Sequence, residues 1–183
     1  MTNTSNISAI DEAHIMLIRA NVRSFLQKAG DAWGDKAAKL LDIAPQNHEG
    51  ARPFFAGSVE VETLDIDPQA GTTYCADLCG TNATIPSNHF DIVVCTEVLE
   101  HVLNPFAAAA EVRRVLKPEG LLLATSPFNF RIHGPLPDCW RFTEHGWRAL
   151  LQGFKDVQIE PLEDAGRFLM PIHYAVSARK ACG

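Results

Sequence analysis

Two apolar runs, FDIVVC at 90–95 and LLLAT at 121–125, flank a stretch that opens on Pro105 and is rich in alanine and other helix formers over Phe106–Leu116. Proline is tolerated in the first turn of a helix and alanine favours its interior, so the three pieces read as strand, helix and strand. Strands joined by a crossover helix run parallel, and this βαβ unit commits the chain to an α/β sheet. Strand-like runs precede it at Ala38–Ile43, Val59–Leu64 and Thr73–Ala76, and follow it at Asp156–Glu160 and His173–Ala178. Ile10–Lys28 places Ile10, His14, Leu17, Ile18, Asn21, Val22, Phe25 and Leu26 at helical spacings, with Gly30 as a stop. LKPEG at 116–120 reads as a turn in which Pro118 fixes φ and Gly120 supplies conformational freedom. Thr143 caps a helix running through Leu151, and Gly153 closes it in a left-handed conformation. The expected fold is Rossmann-like: a mostly parallel sheet flanked by helices, with an antiparallel C-terminal edge strand from the closely connected last pair.

A chain of 183 residues with 46% hydrophobic residues suits one domain over 1–183, with an N-terminal helix within 1–30 and an irregular active-site loop at 126–142. The first residues carry neither a basic start nor a continuous apolar stretch, and no run is long enough to span a bilayer. Neither a signal peptide nor a membrane partner is expected, and the cytoplasm is the expected compartment. Five irregularly spaced cysteines suit reduced thiols rather than a disulfide framework. A net charge of −6 without a Lys/Arg cluster argues against a nucleic-acid partner.

Ligands of open α/β sheets sit beyond the carboxyl ends of the strands, and here those ends are polar. They offer Asp42 with Ala44, Pro45 and Gln46; Asp65 with Ile66 and Asp67; Asp77 with Leu78; and CTEVLEH at 95–101. Asp65 lies 23 positions after Asp42, close to the interval of roughly 20 at which a carboxylate accepts both hydroxyl protons of a ribose. Asp67, before Pro68, reads as turn chemistry, and Asp77 serves a turn equally well. Glu97, Glu100 and His101 stand at i, i+3 and i+4, on one face of an expected helix. EVLEH lacks the first histidine of a zinc-binding H-x-x-E-H helix and no other His/Cys pair has ligand spacing, so no metal is expected. His101, His133 and Asp138 are the catalytic candidates. A backbone bond satisfies His101 equally well, and His133 with Arg141 equally serves to stabilise the loop.

FDIVVCTEVLEHV followed by RRVLKPEGLLLATSPF, together with the ordered acids Asp42, Asp65 and Asp77, resembles the class I S-adenosylmethionine-dependent methyltransferases, specifically their small-molecule branch. The resemblance spans about Leu40–Arg179. It implies S-adenosylmethionine as cofactor and S-adenosylhomocysteine as product, Asp42 beneath the cofactor, Asp65 on its ribose, Asp77 and Leu78 at the adenine, and Cys95, Thr96 and Glu97 at the methionine end. The family has Asp-x-Gly-x-Gly where this chain has Ala44 and Gln46 at the glycine positions and Pro45 between them. The site is therefore expected to be altered rather than lost. A small polar acceptor such as a sugar, aminocyclitol or other secondary metabolite is expected, methylated on oxygen or nitrogen. So little lid leaves room for a homodimer partner to complete the pocket. An inactive cofactor-binding homologue is the alternative. A nicotinamide-dependent oxidoreductase is disfavoured because no G-x-G-x-x-G follows the first strand.

Overall fold

The computed structural model describes residues 7–45, 50–55 and 57–182. Helix α1 (Ala9–Trp33) precedes strands β1 (Lys39–Ile43), β2 (Glu60–Asp65), β3 (Tyr74–Cys75) and β4 (Phe90–Thr96). Then come α2 (Pro105–Val115), β5 (Leu116–Pro127), α3 (Glu144–Leu150), β6 (Phe154–Leu162) and β7 (His173–Lys180). The strands form one sheet in the order β3-β2-β1-β4-β5-β7-β6. The first five are parallel, and β7 runs antiparallel to both β5 and β6. The antiparallel C-terminal edge is as the sequence predicts, with β7 lying inside β6.

Strand β4 is buried on both faces, which is why it reads as a continuous apolar run. Val93 and Cys95 pack with Ala108 and Val112 of α2, whereas Ile92 and Val94 pack with Leu40 and with Leu26 of α1. The order reverses between β1 and β4, so their carboxyl ends open a crevice. Because β7 is antiparallel and its His173 pairs with Pro127 at the end of β5, the start of β7 lies at the same edge.

Three local expectations are corrected. Gly30 does not stop α1, which continues to Trp33; a Cβ there would overlap the carbonyl oxygen of Phe54, so the glycine serves close packing. LKPEG is not a turn outside the strand, because Leu116 already pairs with Phe90 and the register shifts before Ile92 pairs with Leu121. Glu119, at φ 66°, takes the left-handed conformation, while Gly120 lets Lys117 O and Phe90 O approach closely. Residues 97–101 form a bend and turn rather than a helix: Glu97 has φ 55°, and α2 begins only at Pro105 behind its Asn104 cap. Thr143 caps α3 through the Gly146 N–H at 3.1 Å, and Gly153 has φ 93°, both as predicted.

Candidate active site

At the end of β1, Asp42 is buried and accepts the Ala51 N–H at 2.6 Å. Burial pushes its carboxyl up to about 6, against the pull of that bond. Among the described residues no regular α-helix follows β1 directly: Gly50 sits at φ 60° against Asp42, and a single 3₁₀ turn covers Arg52–Phe54. Ala44, at the first family glycine position, adopts φ 52°, the left-handed conformation glycine reaches without strain, at a cost of about 1 kcal/mol. Pro45 follows partly buried, and Gln46 lies outside the described residues.

Asp65 is buried at the end of β2; its Oδ1 accepts the Asp67 N–H at 2.9 Å, and Oδ2 has no partner among the described residues. One acceptor oxygen of Asp65 is therefore uncommitted among the described residues. Asp67 accepts the Gln69 N–H at 2.8 Å, the turn role expected of it. Asp77 does the same for the Cys79 N–H at 2.8 Å, with Leu78 buried beside it and Ile66 exposed. The Cys95 side chain is fully buried in the core, where burial pushes its thiol up, while Thr96 and Glu97 at the end of β4 are half-buried.

Glu97 ends a chain of bonds that spacing along the sequence does not reveal. Its Oε1 accepts from Thr125 Oγ1 at 2.8 Å and from His173 Nε2 at 2.7 Å, while the Asn21 amide of α1 donates to His173 Nδ1 at 2.9 Å. With Nδ1 accepting, the proton of a neutral His173 sits on Nε2, directed at Glu97. Burial pushes the Glu97 carboxyl up, but the His173 ring and the Thr125 hydroxyl outweigh it and hold the group below its ordinary range.

The long loop comes to this edge through backbone bonds: the N–H groups of Cys139 and Trp140 both donate to Glu100 O, at 2.7 and 3.1 Å. His101 Nδ1 bonds the Pro137 carbonyl at 2.9 Å, fulfilling the backbone reading while leaving Nε2 free. His133 stacks edge-on against His101, ring centres 5.0 Å apart, and its Nδ1 lies 3.1 Å from Asp138 Oδ2. Asp138 also accepts the His133 backbone N–H at 2.9 Å and is clamped by both terminal nitrogens of Arg141. Burial opposes ionisation of Asp138, but these bonds hold its carboxyl down at about 2. Burial lowers the His133 imidazole, keeping it neutral near pH 7. Beside both rings, with Oε1 3.7 and 3.9 Å from the His101 and His133 Nε2 atoms, lies Glu100, fully buried, with no hydrogen-bond partner among the described residues for either carboxylate oxygen. Burial, reinforced by the nearby Glu97 charge, raises its carboxyl well above the ordinary range.

The fold thus brings His101, His133 and Asp138 together with Glu97 at the carboxyl edge of β4, and the strand-end acids continue along that edge. His173, Thr125 and Asn21 were missed by sequence reasoning. The only signal was a histidine opening the otherwise apolar run of β7.

A Rossmann-like sheet of this order, with polar strand ends at its switch point, is the architecture that holds nucleotide-type ligands. The methyltransferase-domain family matches residues 10–124, and the chain belongs to it: a class I S-adenosylmethionine-dependent methyltransferase. No curated protein matches the sequence. Among solved structures, a SAM-dependent methyltransferase from Archaeoglobus fulgidus is 16% identical, with TM-score 0.62 over 90% of this chain and 94% of that one. Phosphoethanolamine N-methyltransferase 2 of Haemonchus contortus, in complex with S-adenosyl-L-methionine, is 16% identical, with TM-score 0.67 over 89% of this chain and 53% of that one. The CurJ carbon methyltransferase is 16% identical, with TM-score 0.62 over 79% of this chain and 49% of that one. The chain spans about half the length of the last two. At such identities these likenesses establish the fold. S-adenosylmethionine is the family's cofactor, and the uncommitted Asp65 oxygen and left-handed Ala44 fit it.

Proposed function

We propose that this protein transfers a methyl group from S-adenosylmethionine to an oxygen or nitrogen of a small polar molecule, such as a sugar, aminocyclitol or other secondary metabolite. The observation that carries this reading is the cluster of His101, His133 and Asp138 beside Glu97, at the edge where Asp65 offers its ribose acceptor. In the reading, Asp65 holds the ribose, Asp77 and Leu78 border the adenine, and Asp42 with Ala44 and Pro45 underlies the cofactor. Thr96 and Glu97 border the methionine end. When bound, S-adenosylmethionine supplies a methyl carbon activated by the sulfonium charge. The chain's own task is to align an acceptor and remove its proton.

His133 suits the second task. Burial keeps its imidazole neutral and able to accept a proton, and the Asp138 carboxylate 3.1 Å from Nδ1 stabilises the imidazolium that results. Trp140, which is partly exposed and anchored through Nε1 to Val102 O at 2.8 Å, supplies an apolar wall for the acceptor. The Haemonchus protein, a phosphoethanolamine N-methyltransferase, supports a small polar acceptor. A cofactor-binding homologue without turnover is favoured only by the loop after β1, where Asp42 spends one oxygen on Ala51 and Pro45 offers no N–H donor.

Calorimetry with S-adenosylhomocysteine tests the site. Wild type should bind and Asp65→Ala should lose about tenfold or more in affinity, since a buried carboxylate accepting a ligand hydroxyl contributes roughly 1.5–3 kcal/mol. No binding to wild type at millimolar ligand would overturn the reading. Binding with no transfer from labelled cofactor across a panel of sugars, aminocyclitols and amines would leave the non-catalytic homologue.

A further inference from the structure

We infer that Glu100, His101 and His133 form a binding site for a divalent transition-metal ion, with Asp138 and the Pro137 carbonyl as its outer shell. The Nε2 atoms of His101 and His133 lie 3.7 and 3.9 Å from Glu100 Oε1, and the three ligand atoms all fall within 4.8 Å of one another. Metal–ligand bonds of about 2.0–2.2 Å place neighbouring donors about 3.0–3.5 Å apart. The cluster therefore needs to contract by less than about 1 Å at its two shorter edges and by about 1.8 Å at most at the third, a shift that rotations of the His133 and Glu100 side chains can supply.

Three further features are those of a metal centre. Both carboxylate oxygens of Glu100 are buried without a hydrogen-bond partner among the described residues, a costly state for a polar group. Each imidazole has an oxygen near the ring nitrogen facing away from Glu100: Pro137 O is bonded to His101 Nδ1 at 2.9 Å, and the Asp138 carboxylate lies 3.1 Å from His133 Nδ1 without the alignment of a hydrogen bond. Outer partners of this kind, carbonyl or carboxylate, orient ligating histidines and raise their basicity. The donor set is two imidazole nitrogens and one carboxylate oxygen on one side of a point, while His101 and His133 keep side-chain exposures of 15% and 24%. Such a facial set selects zinc, iron(II) or a neighbouring first-row ion over magnesium or calcium, and leaves coordination positions open towards solvent.

The sequence hides this site because only Glu100 and His101 are adjacent. His133 arrives on the long loop, pinned by the bonds of Cys139 and Trp140 to Glu100 O. In the metal-loaded protein both Nε2 lone pairs are committed, so an acceptor hydroxyl on the cation would be acidified by its charge instead of by a free imidazole. That consequence rests on the proposed methyl transfer; metal binding does not.

The test uses the full chain after chelator dialysis, titrated with Co²⁺ followed in the visible and near ultraviolet and with Zn²⁺ by calorimetry. One equivalent should bind with d–d bands of nitrogen and oxygen coordination and without thiolate charge-transfer absorption, which excludes the exposed Cys75, Cys139 and Cys182 and the half-buried Cys79. Glu100→Gln and His133→Ala should each abolish stoichiometric binding, Asp138→Asn should weaken it by about 10–100-fold, and His145→Ala should leave it unchanged. Asp65→Ala should keep metal binding while losing S-adenosylhomocysteine, separating this inference from the cofactor reading. No cobalt spectrum in wild type, or binding that survives both Glu100→Gln and His133→Ala, would overturn it.

Discussion

Replacing Asp42 with asparagine should change how stability depends on pH. The Asp42 carboxyl is buried and pushed up to about 6 from its ordinary 3.8. A group with a raised folded value binds its proton more tightly in the native state. Its contribution to stability is complete below the unfolded value near 3.8 and is lost as pH rises through about 6. Integrating the linkage, acidification from pH 7 to pH 5 should stabilise wild type through this one group by about 1.3 kcal/mol, and to pH 4 by about 2.4 kcal/mol. The amide of the Asp42→Asn variant cannot titrate, so any constant cost it carries cancels when the two pH profiles are subtracted. Urea denaturation of both proteins across this range, with equal m-values, measures the difference directly. The variant's profile should fall behind wild type by that amount on the acid side. Profiles that run parallel within about 0.5 kcal/mol would refute the assignment of a buried carboxylate with a raised folded value at the end of β1.

Two other perturbations follow from the packing. Gly30→Ala would drive a methyl group into the backbone carbonyl oxygen of Phe54, and should destabilise by about 3 kcal/mol with no effect attributable to the site; a thermal midpoint within a degree or two of wild type would contradict that contact. Arg141→Leu removes the fork from an Asp138 side chain that has no exposure of its own, and should cost about 3–5 kcal/mol, whereas Arg141→Lys should recover part of it; near-equal urea midpoints for the leucine variant and wild type would show that the clamp is unimportant.

What was legible in the sequence follows the range of the interactions responsible. The strands of the sheet could be read because burial on both faces leaves continuous apolar runs such as Ile92–Cys95, and the α3 cap because Thr143 acts within three residues. Gly30 misled because its role is set by Phe54, a neighbour in space whose carbonyl the sequence does not reveal. CTEVLEH was read as helical from its spacing, but the left-handed Glu97 turns the chain away before any helix starts. Asp65, Asp77 and the CTEVLEH segment were visible as strand-end chemistry. The bond from Glu97 to His173, which joins β4 to the last strand, was not. Nor was the meeting of Glu100 with His133, since it depends on how the loop folds back onto β4.

The bond between Glu97 and His173 also bears on biosynthesis. The two residues are 76 positions apart, and at roughly 5–20 residues per second a ribosome adds His173 about 4–15 s after Glu97. For that interval β1 to β5 can pair while the Glu97 carboxylate lacks its imidazole, and the Asn21 amide on α1 has nothing to hold. Insertion of β7 between β5 and β6 completes the sheet and the site in one event. The nascent chain therefore carries an exposed β5 edge and an unassembled centre until nearly all of this sequence has been translated.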